Sequence, residues 1–313
     1  MSVLIPDWRQ GRELDTCCRQ KILCGAGLAS FSGDADRHFR PLRRHLIAQL
    51  GFDEHDFLEM SYTGWRSPAG WTPRPYHVAD VQGPIGRSAE AVAAELDWYR
   101  ARLPEARFHL VGYSLGGVIA FAAAELALSR DLAGWRGRIV SVSMLSSPLR
   151  GVDFGLIQGL ARDIAAGPEG YGQAGVELLE RARDPETLGR LEVSASFLRA
   201  AGVRLLMVWD RNDSIVQRDD AVLPSGVAAR EVVAVDAKPL ADADQIARRY
   251  GHGPVLSDRR TLAALALVIG EQECPTGHAR GPEAGGPTGT EQSSVDAELE
   301  AIKAEMRRKG DLR

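Results

Sequence analysis

In the stretch GYSLGG, residues 112–117, a single serine stands between glycines where one apolar run ends and another begins. The run before Ser114, with Phe108, Leu110 and Val111, suits a short buried strand, and the alanine-rich run from Val118 to Leu128 suits a buried helix. Ser114 therefore stands at a strand-to-helix turn. A sharp turn of this kind brings the residues two before and two after it close together, and Gly112 and Gly116 fill those positions. A hydroxyl held clear of a sheet edge can attack a carbonyl carbon. Serine is a weak nucleophile at neutral pH, so the attack needs a base within hydrogen-bond reach and a further group that orients the base. The chemistry to look for is acyl transfer through a covalent serine ester. With 33 glycines in 313 residues the bare G-x-S-x-G pattern is a weak signal, and its strand and helix context carries the weight.

Two later stretches supply the partners in the chain order serine, acid, histidine. VRLLMVWDRNDSIV places Asp210 and Asp213 just past a strand, and YGHGPVLSD places His252 in a loop beyond the last strand. The other histidines lack such a position, and His109 lies inside the strand before Ser114, where it reads as a core residue.

The elements that must position these residues are legible from the apolar pattern. Strands are expected at KILC (21–24), FLEMSY (57–62), RIVSVSMLSS (138–147), VRLLMVW (203–209) and REVVAV (230–235). Helices are expected over 40–50, after an N-cap at Ser88, after Ser114, and over RRTLAALALVIG (259–270). This alternation predicts an α/β fold with a mainly parallel sheet covered by helices on both faces. The stretch TGWRSPAGWTPRPYHVADVQGPIG (63–86) reads as a loop because of its prolines and glycines, and residues 151–201 carry helical patterns but no strand.

With Ser114 in GYSLGG, Asp213 in DRNDSIV and His252 in GHGPVL, residues 21–270 resemble the α/β-hydrolase family. The resemblance implies a serine hydrolase with Ser114 as nucleophile and His252 as base. It favours Asp213 as the acid, since the family acid stands a few residues past the strand and before an apolar pair, here Ile215 and Val216; Asp210 is the alternative. It also implies an oxyanion hole made by the backbone N–H of Leu115 and of Ala26, with Leu28 as the alternative to Ala26. CGAGLAS is similar to the family's H-G-x-G turn, with Cys24 in place of the histidine. The helical insertion over 151–201 is then expected to cap Ser114, with Phe154, Leu156, Ile157, Leu160 and Phe197 as candidates for an acyl pocket and the loop of Trp65, Trp71 and Tyr76 opposite.

SSPLRGV is similar to a turn in some lipases and esterases. The stretch CGAGLASFSGDADRHFRPLRRHL is similar to the first loop of the thioesterases that serve polyketide and peptide synthases, whose elbow commonly carries a histidine where this chain has Tyr113. Carboxylic-ester hydrolysis ranks first, and thioester hydrolysis or acyl transfer on the same three residues second. A ligand-binding protein that keeps this fold without catalysis is the reading from another class.

Composition bounds the remaining choices. A 44% hydrophobic and 26% charged content is that of a water-soluble globular chain, and a net charge of −4 offers no electrostatic footprint for nucleic acid. No apolar run is long enough for an integral membrane segment, and the first residues lack the basic and apolar regions of a secretory signal. Cys17, Cys18, Cys24 and Cys274 show no paired C-x-x-C spacing, which points to a reduced, cytoplasmic protein. GAGLAS approaches a dinucleotide-binding turn, but FSGDAD does not begin the long helix that such a turn needs, so no cofactor and no metal is expected. The partner expected is a small acyl ester or thioester. Residues 1–20 read as an extension, 271–292 as a polar Gly/Pro linker, and 293–313 as a helix with Ser293 and Asp296 at capping-box spacing. Its stripe of Val295, Leu299, Ile302 and Met306 predicts partner docking through 293–309.

Overall fold

The computed structural model describes residues 20–28, 30–68, 70–153, 172–224, 230–234 and 251–270. The expectations for the N-terminal extension, the linker, the C-terminal helix, Cys17, Cys18, Cys274, Phe154, Leu156, Ile157 and Leu160 lie outside these residues.

Among the described residues six strands form one sheet: β1 (Gln20–Gly25), β2 (Phe57–Glu59), β5 (Arg107–Tyr113), β6 (Ile139–Leu145), β7 (Arg204–Asp210) and β8 (Arg230–Ala234). Their order is β2-β1-β5-β6-β7-β8, and every neighbouring pair is parallel. Successive side chains of a strand point to opposite faces, and both faces here are apolar. Ile22, Cys24, Leu206 and Val208 face one layer, which holds Leu42 and Leu46 of α2 (Arg40–Leu50) and Leu265 and Ile269 of the last helix. Leu23, Leu205 and Met207 face the other, built from α4 (Ile85–Arg102), α5 (Leu115–Arg130) and a later crossover helix. Burial on both sides is why these strands read as apolar runs rather than as alternating patterns.

The chain leaves β1 toward β2 on one side and toward β5 on the other, so β1 and β5 flank the point where the winding reverses. In open α/β sheets that reversal opens a crevice beyond the carboxyl ends of the two strands. Gly25 and Tyr113, the last residues of β1 and β5, stand at this place. At the other end of β1 the buried Lys21 Nζ lies 2.7 Å from Asp56 Oδ1 and 3.2 Å from the His55 carbonyl, which ties β1 to the start of the three-residue β2.

Short helices α1 (Asp34–His38), α3 (Val78–Val81) and α6 (Leu132–Trp135) join the longer ones. Two expectations are corrected. The stretch 63–86 is not a plain loop: β3 (Gly64–Ser67) and β4 (Gly70–Pro73) pair as an antiparallel hairpin before α3. Trp65 is 63% exposed on this hairpin, while Tyr76 is buried edge-on to Tyr62, ring centroids 4.8 Å apart. Ser88 is not a cap. It is buried one turn inside α4, which starts at Ile85, and the Ile85 N–H donates to Glu177 Oε2 at 3.0 Å. A carboxylate from far along the chain fills the capping role that a local serine was expected to play.

Glu177 belongs to α7 (Gly172–Arg183), which is followed by α8 (Thr187–Ala200). Helix α8 packs against α5 and β7 and buries Phe197 fully in the main core. It is the crossover helix between β6 and β7, and Phe197 is a packing residue within it. After β7 come the short helix α9 (Arg218–Ala221) and, past β8, α10 (Arg259–Gly270), whose first turn is held by Asp258 Oδ1 accepting from Arg260 N and Thr261 N, both at 2.9 Å. Among the described residues no helix is long and apolar enough to cross a membrane.

Candidate active site

Ser114 follows β5 directly and precedes the first residue of α5. Its backbone, at φ 54° and ψ −129°, lies in a region that residues with a side chain rarely occupy. The close approach behind this strain is visible at its neighbours. A Cβ on Gly112 would sit 2.3 Å from the Gly116 carbonyl oxygen, and one on Gly116 would sit 2.3 Å from the Gly25 carbonyl oxygen. The turn thus packs against the end of β1, and no larger residue fits at either position. Leu115 opens α5, so its N–H has no carbonyl one turn earlier to bond within the helix.

The structure brings Ser114, His252 and Asp213 together across 138 and 39 residues of chain. Ser114 Oγ is 2.8 Å from His252 Nε2, and His252 Nδ1 is 2.7 Å from Asp213 Oδ2. The other Asp213 oxygen accepts the backbone N–H of Ile215 at 2.9 Å and of Val216 at 3.0 Å. The apolar pair after Asp213 therefore fixes the carboxylate through its amides. Asp213 and His252 are buried, at 5% and 8% exposure, so their pairing is shielded from water. The ring of Tyr113 lies 5.0 Å from that of His252, and its hydroxyl donates to the His252 carbonyl at 2.5 Å.

Asp210 is not joined to His252 by a hydrogen bond. Its Oδ1 accepts from Asn212 N at 2.9 Å, its carbonyl accepts from Asp213 N at 3.1 Å, and its buried Oδ2 has no hydrogen-bond partner among the described residues. Burial pushes its carboxyl above the ordinary aspartate value, against the Asn212 bond and with help from the nearby charges of Asp213 and Asp258. It braces the turn that presents Asp213. His109 is fully buried, with Nδ1 2.8 Å from Ser141 Oγ, and burial with the charges of Arg204 and Arg107 lowers its pKa to about 3, so it is a neutral core residue.

The loop after β1 runs along Ser114. A Cβ on Gly27 would lie 2.8 Å from Ser114 Cβ and 3.3 Å from its Oγ. Ala26 is fully buried, and its carbonyl accepts the Tyr62 hydroxyl at 2.5 Å. In a trans peptide the carbonyl and the following N–H point to opposite sides, so Tyr62 also turns the Gly27 N–H away from itself. Leu28 is partly buried against the main core. Cys24, at the position of the family's histidine, is a free, buried thiol whose pKa burial raises to about 12, so it stays protonated. Farther along, Ser32 N donates to the Tyr76 carbonyl at 3.1 Å, and Tyr76 N to Ser32 Oγ at 2.7 Å.

Sequence reasoning gave no role to Tyr113 or Tyr62, whose hydroxyls reach backbone carbonyls far along the chain. It also passed over Ser146, with Ser114 one of two non-glycine residues at positive φ among the described residues (42°), which follows β6 beside the turn. The only available signal was the departure at position 113 from the histidine of the synthase thioesterases. Among the described residues, no group of three or more His, Cys, Asp or Glu side chains stands ready for a metal ion.

No family model matches the chain, and no curated protein does. Solved structures do. Phospholipase PlaB from Legionella pneumophila superposes with a TM-score of 0.51 at 12% identity, over 93% of this chain and 64% of that protein; the chain thus spans about two thirds of PlaB's length. A lipase-esterase related protein from Clostridium acetobutylicum ATCC 824 gives 0.46 at 12% identity, over 80% of this chain and 93% of that one. A thermophilic esterase from Thermogutta terrifontis gives 0.42 at 16% identity, over 80% and 88%. With its parallel strand order, its winding reversal between β1 and β5 and its serine on the turn after β5, this chain has the α/β-hydrolase fold.

Proposed function

We propose that the chain is a serine hydrolase that cleaves a small carboxylic ester through an acyl-enzyme on Ser114. The observation that carries this reading is the unbroken relay from Ser114 Oγ through His252 to Asp213, at 2.8 and 2.7 Å, on a strained turn at the sheet edge. His252 Nε2 takes the hydroxyl proton as Ser114 Oγ attacks the ester carbonyl carbon. Asp213 keeps the imidazole in the tautomer that carries its proton on Nδ1 and stabilises the imidazolium that forms. The tetrahedral oxyanion is held by the Leu115 N–H and by a second donor from the loop after β1, Ala26 in the first assignment and Leu28 in the alternative.

Collapse returns the proton from His252 to the leaving alcohol. Water, deprotonated by the same imidazole, then releases the acid and restores Ser114. A thioester would enter the same acyl-enzyme, so leaving-group choice is a separate measurement from nucleophile assignment. A reducing, cytoplasmic setting accompanies the proposal, resting on the lack of paired C-x-x-C spacing among the four cysteines.

The test is labelling with a fluorophosphonate probe alongside turnover of matched p-nitrophenyl esters and acyl thioesters. Wild-type protein is expected to label at Ser114 and to hydrolyse the oxygen esters, and Ser114→Ala to do neither. An unlabelled, inactive wild-type protein would overturn the hydrolase reading and favour ligand binding on the same fold.

A further inference from the structure

The loop that runs past Ser114 is held by side chains and backbone from a single later stretch of chain. Tyr62 takes the Ala26 carbonyl, the Tyr76 backbone pairs with Ser32, and Glu59 takes the far end. Glu59 is the last residue of β2, in register with Cys24 of β1. Its carboxylate accepts the Gly33 N–H on both oxygens, at 2.8 and 3.0 Å, and the Ala35 N–H at 3.4 Å. Gly33 and Ala35 form the entrance of α1, where the loop ends. The loop begins at Ala26 and Gly27, against Ser114. A carboxylate thus grips the far end of the loop whose near end, at Gly27, lies against Ser114.

We propose that Glu59 is a positioning residue for the oxyanion loop, a carboxylate latch that grips Gly33 and Ala35 at the loop's far end while it is ionised and loosens its grip when it is protonated. The proposal rests on the reading of Ser114 as an acyl-transfer nucleophile.

The surroundings of Glu59 set when it changes charge. Facing it are Asp34 and Asp36 of α1, Cys24 of β1, Tyr62, Tyr76, and the buried Glu95 of α4, all acidic or neutral groups. Arg43 of α2 is ion-paired with Asp36 and with Glu54. Burial is the largest influence on Glu59 and raises its pKa to about 7; the Gly33 and Ala35 N–H bonds oppose the rise, and the Asp36 and Asp34 charges add to it. Bonds to an ionised acceptor are stronger than those to a neutral acid, so protonation weakens the hold on Gly33 and Ala35. The same raised value means that the fold disfavours the anion. The stabilising contribution of the neutral acid is complete below the unfolded value of about 4.5 and is lost as pH rises through about 7. A charge that costs stability and is nevertheless aimed at three N–H contacts on this loop suits a site kept for turnover.

The experiment compares full-length wild type with Glu59→Gln, a neutral isostere, by ester turnover, thermal melting and amide hydrogen exchange. At roughly pH 8.5 the variant is expected to lose about 5-fold in kcat with KM changed by less than about 2-fold, and the difference is expected to vanish at roughly pH 5.5. At the alkaline pH the variant should also melt higher, since it lacks the disfavoured anion. Exchange of the Gly33 and Ala35 amides, corrected for intrinsic rates, should accelerate in wild type as pH falls through about 7 and stay fast in the variant throughout. A kcat ratio that does not change with pH, or exchange at Gly33 and Ala35 that is insensitive to the substitution, would overturn the proposal. If wild type turns over no ester at all, the Ser114 reading fails, and the exchange measurement still decides whether Glu59 latches the loop.

Discussion

The hydroxyl of Tyr113 donates to the backbone carbonyl of His252 at 2.5 Å, so the residue immediately before the serine also fixes the loop that carries the histidine. The serine and the histidine are thereby linked twice, once through their side chains and once through Tyr113. Tyr113→Phe keeps the ring contact and removes the hydrogen bond. It should lower kcat by about 3- to 10-fold with little change in KM, and cost about 1–3 kcal/mol of stability for the buried carbonyl left unpaired. Steady-state kinetics and urea unfolding check the two parts.

At Ser114 itself, strain and chemistry can be separated by a glycine. The φ 54°, ψ −129° backbone suits glycine far better than serine. Ser114→Gly should abolish ester turnover and raise stability by about 1 kcal/mol or more, whereas Ser114→Ala should abolish turnover without that gain. Denaturant midpoints of the two variants give the comparison.

On the proposed mechanism Asp213→Asn removes the charge that would stabilise the imidazolium and disturbs the tautomer, and the expected loss in kcat is on the order of 10⁴. Asp210→Asn should cost far less, because Asp210 makes no bond to His252. Its raised carboxyl value gives the sign of a stability effect. The neutral form stabilises below the unfolded value of 3.8, and that contribution is lost as pH rises through the folded one. Asp210→Asn should therefore be as stable as wild type, or more so, at neutral pH. Melting curves across acidic and neutral pH, with kinetics of both variants, test the pair.

Gly27→Ala probes the loop beside the nucleophile. The added methyl would meet Ser114 Cβ at 2.8 Å, so the loop or the serine must shift. Since displacements of this kind at a reacting centre are costly, kcat should fall by roughly 10- to 100-fold. Fluorophosphonate labelling should slow in parallel, which would distinguish a displaced site from an unfolded protein.

Of the three residues proposed for catalysis, Ser114 and Asp213 were legible from local signals, and His252 from the chain order and its loop position. Ser114 needs small neighbours two residues away on each side, Asp213 needs free amides just after it, and both needs are written in the adjacent sequence. The main strands were legible for a related reason: burial on both faces leaves continuous apolar runs. What escaped was set by partners distant in sequence. Glu177 serves the start of α4 in the place assigned to Ser88, and the β3–β4 hairpin forms within a stretch whose prolines and glycines read as irregular. Tyr62 and Glu59 look like ordinary members of a strand until the fold lays them beneath the loop after β1. The sequence of α8 shows no clear apolar face, and only its packing on α5 and β7 shows that Phe197 serves the core.

The buried Lys21–Asp56 pair acts as an alignment pin. Only three residues of β2 pair with β1, a ladder short enough for neighbouring registers to compete. A slip by one residue would turn every side chain of β2 to the opposite face and carry Glu59 away from Gly33. It would also pull Asp56 from Lys21 and strand an ammonium that is 3% exposed, a penalty large enough to exclude the slipped arrangement. The ion pair stands at the opposite end of the strand from Ser114. It touches nothing near the reacting atoms, yet it determines that Glu59 is the residue of β2 that meets Gly33.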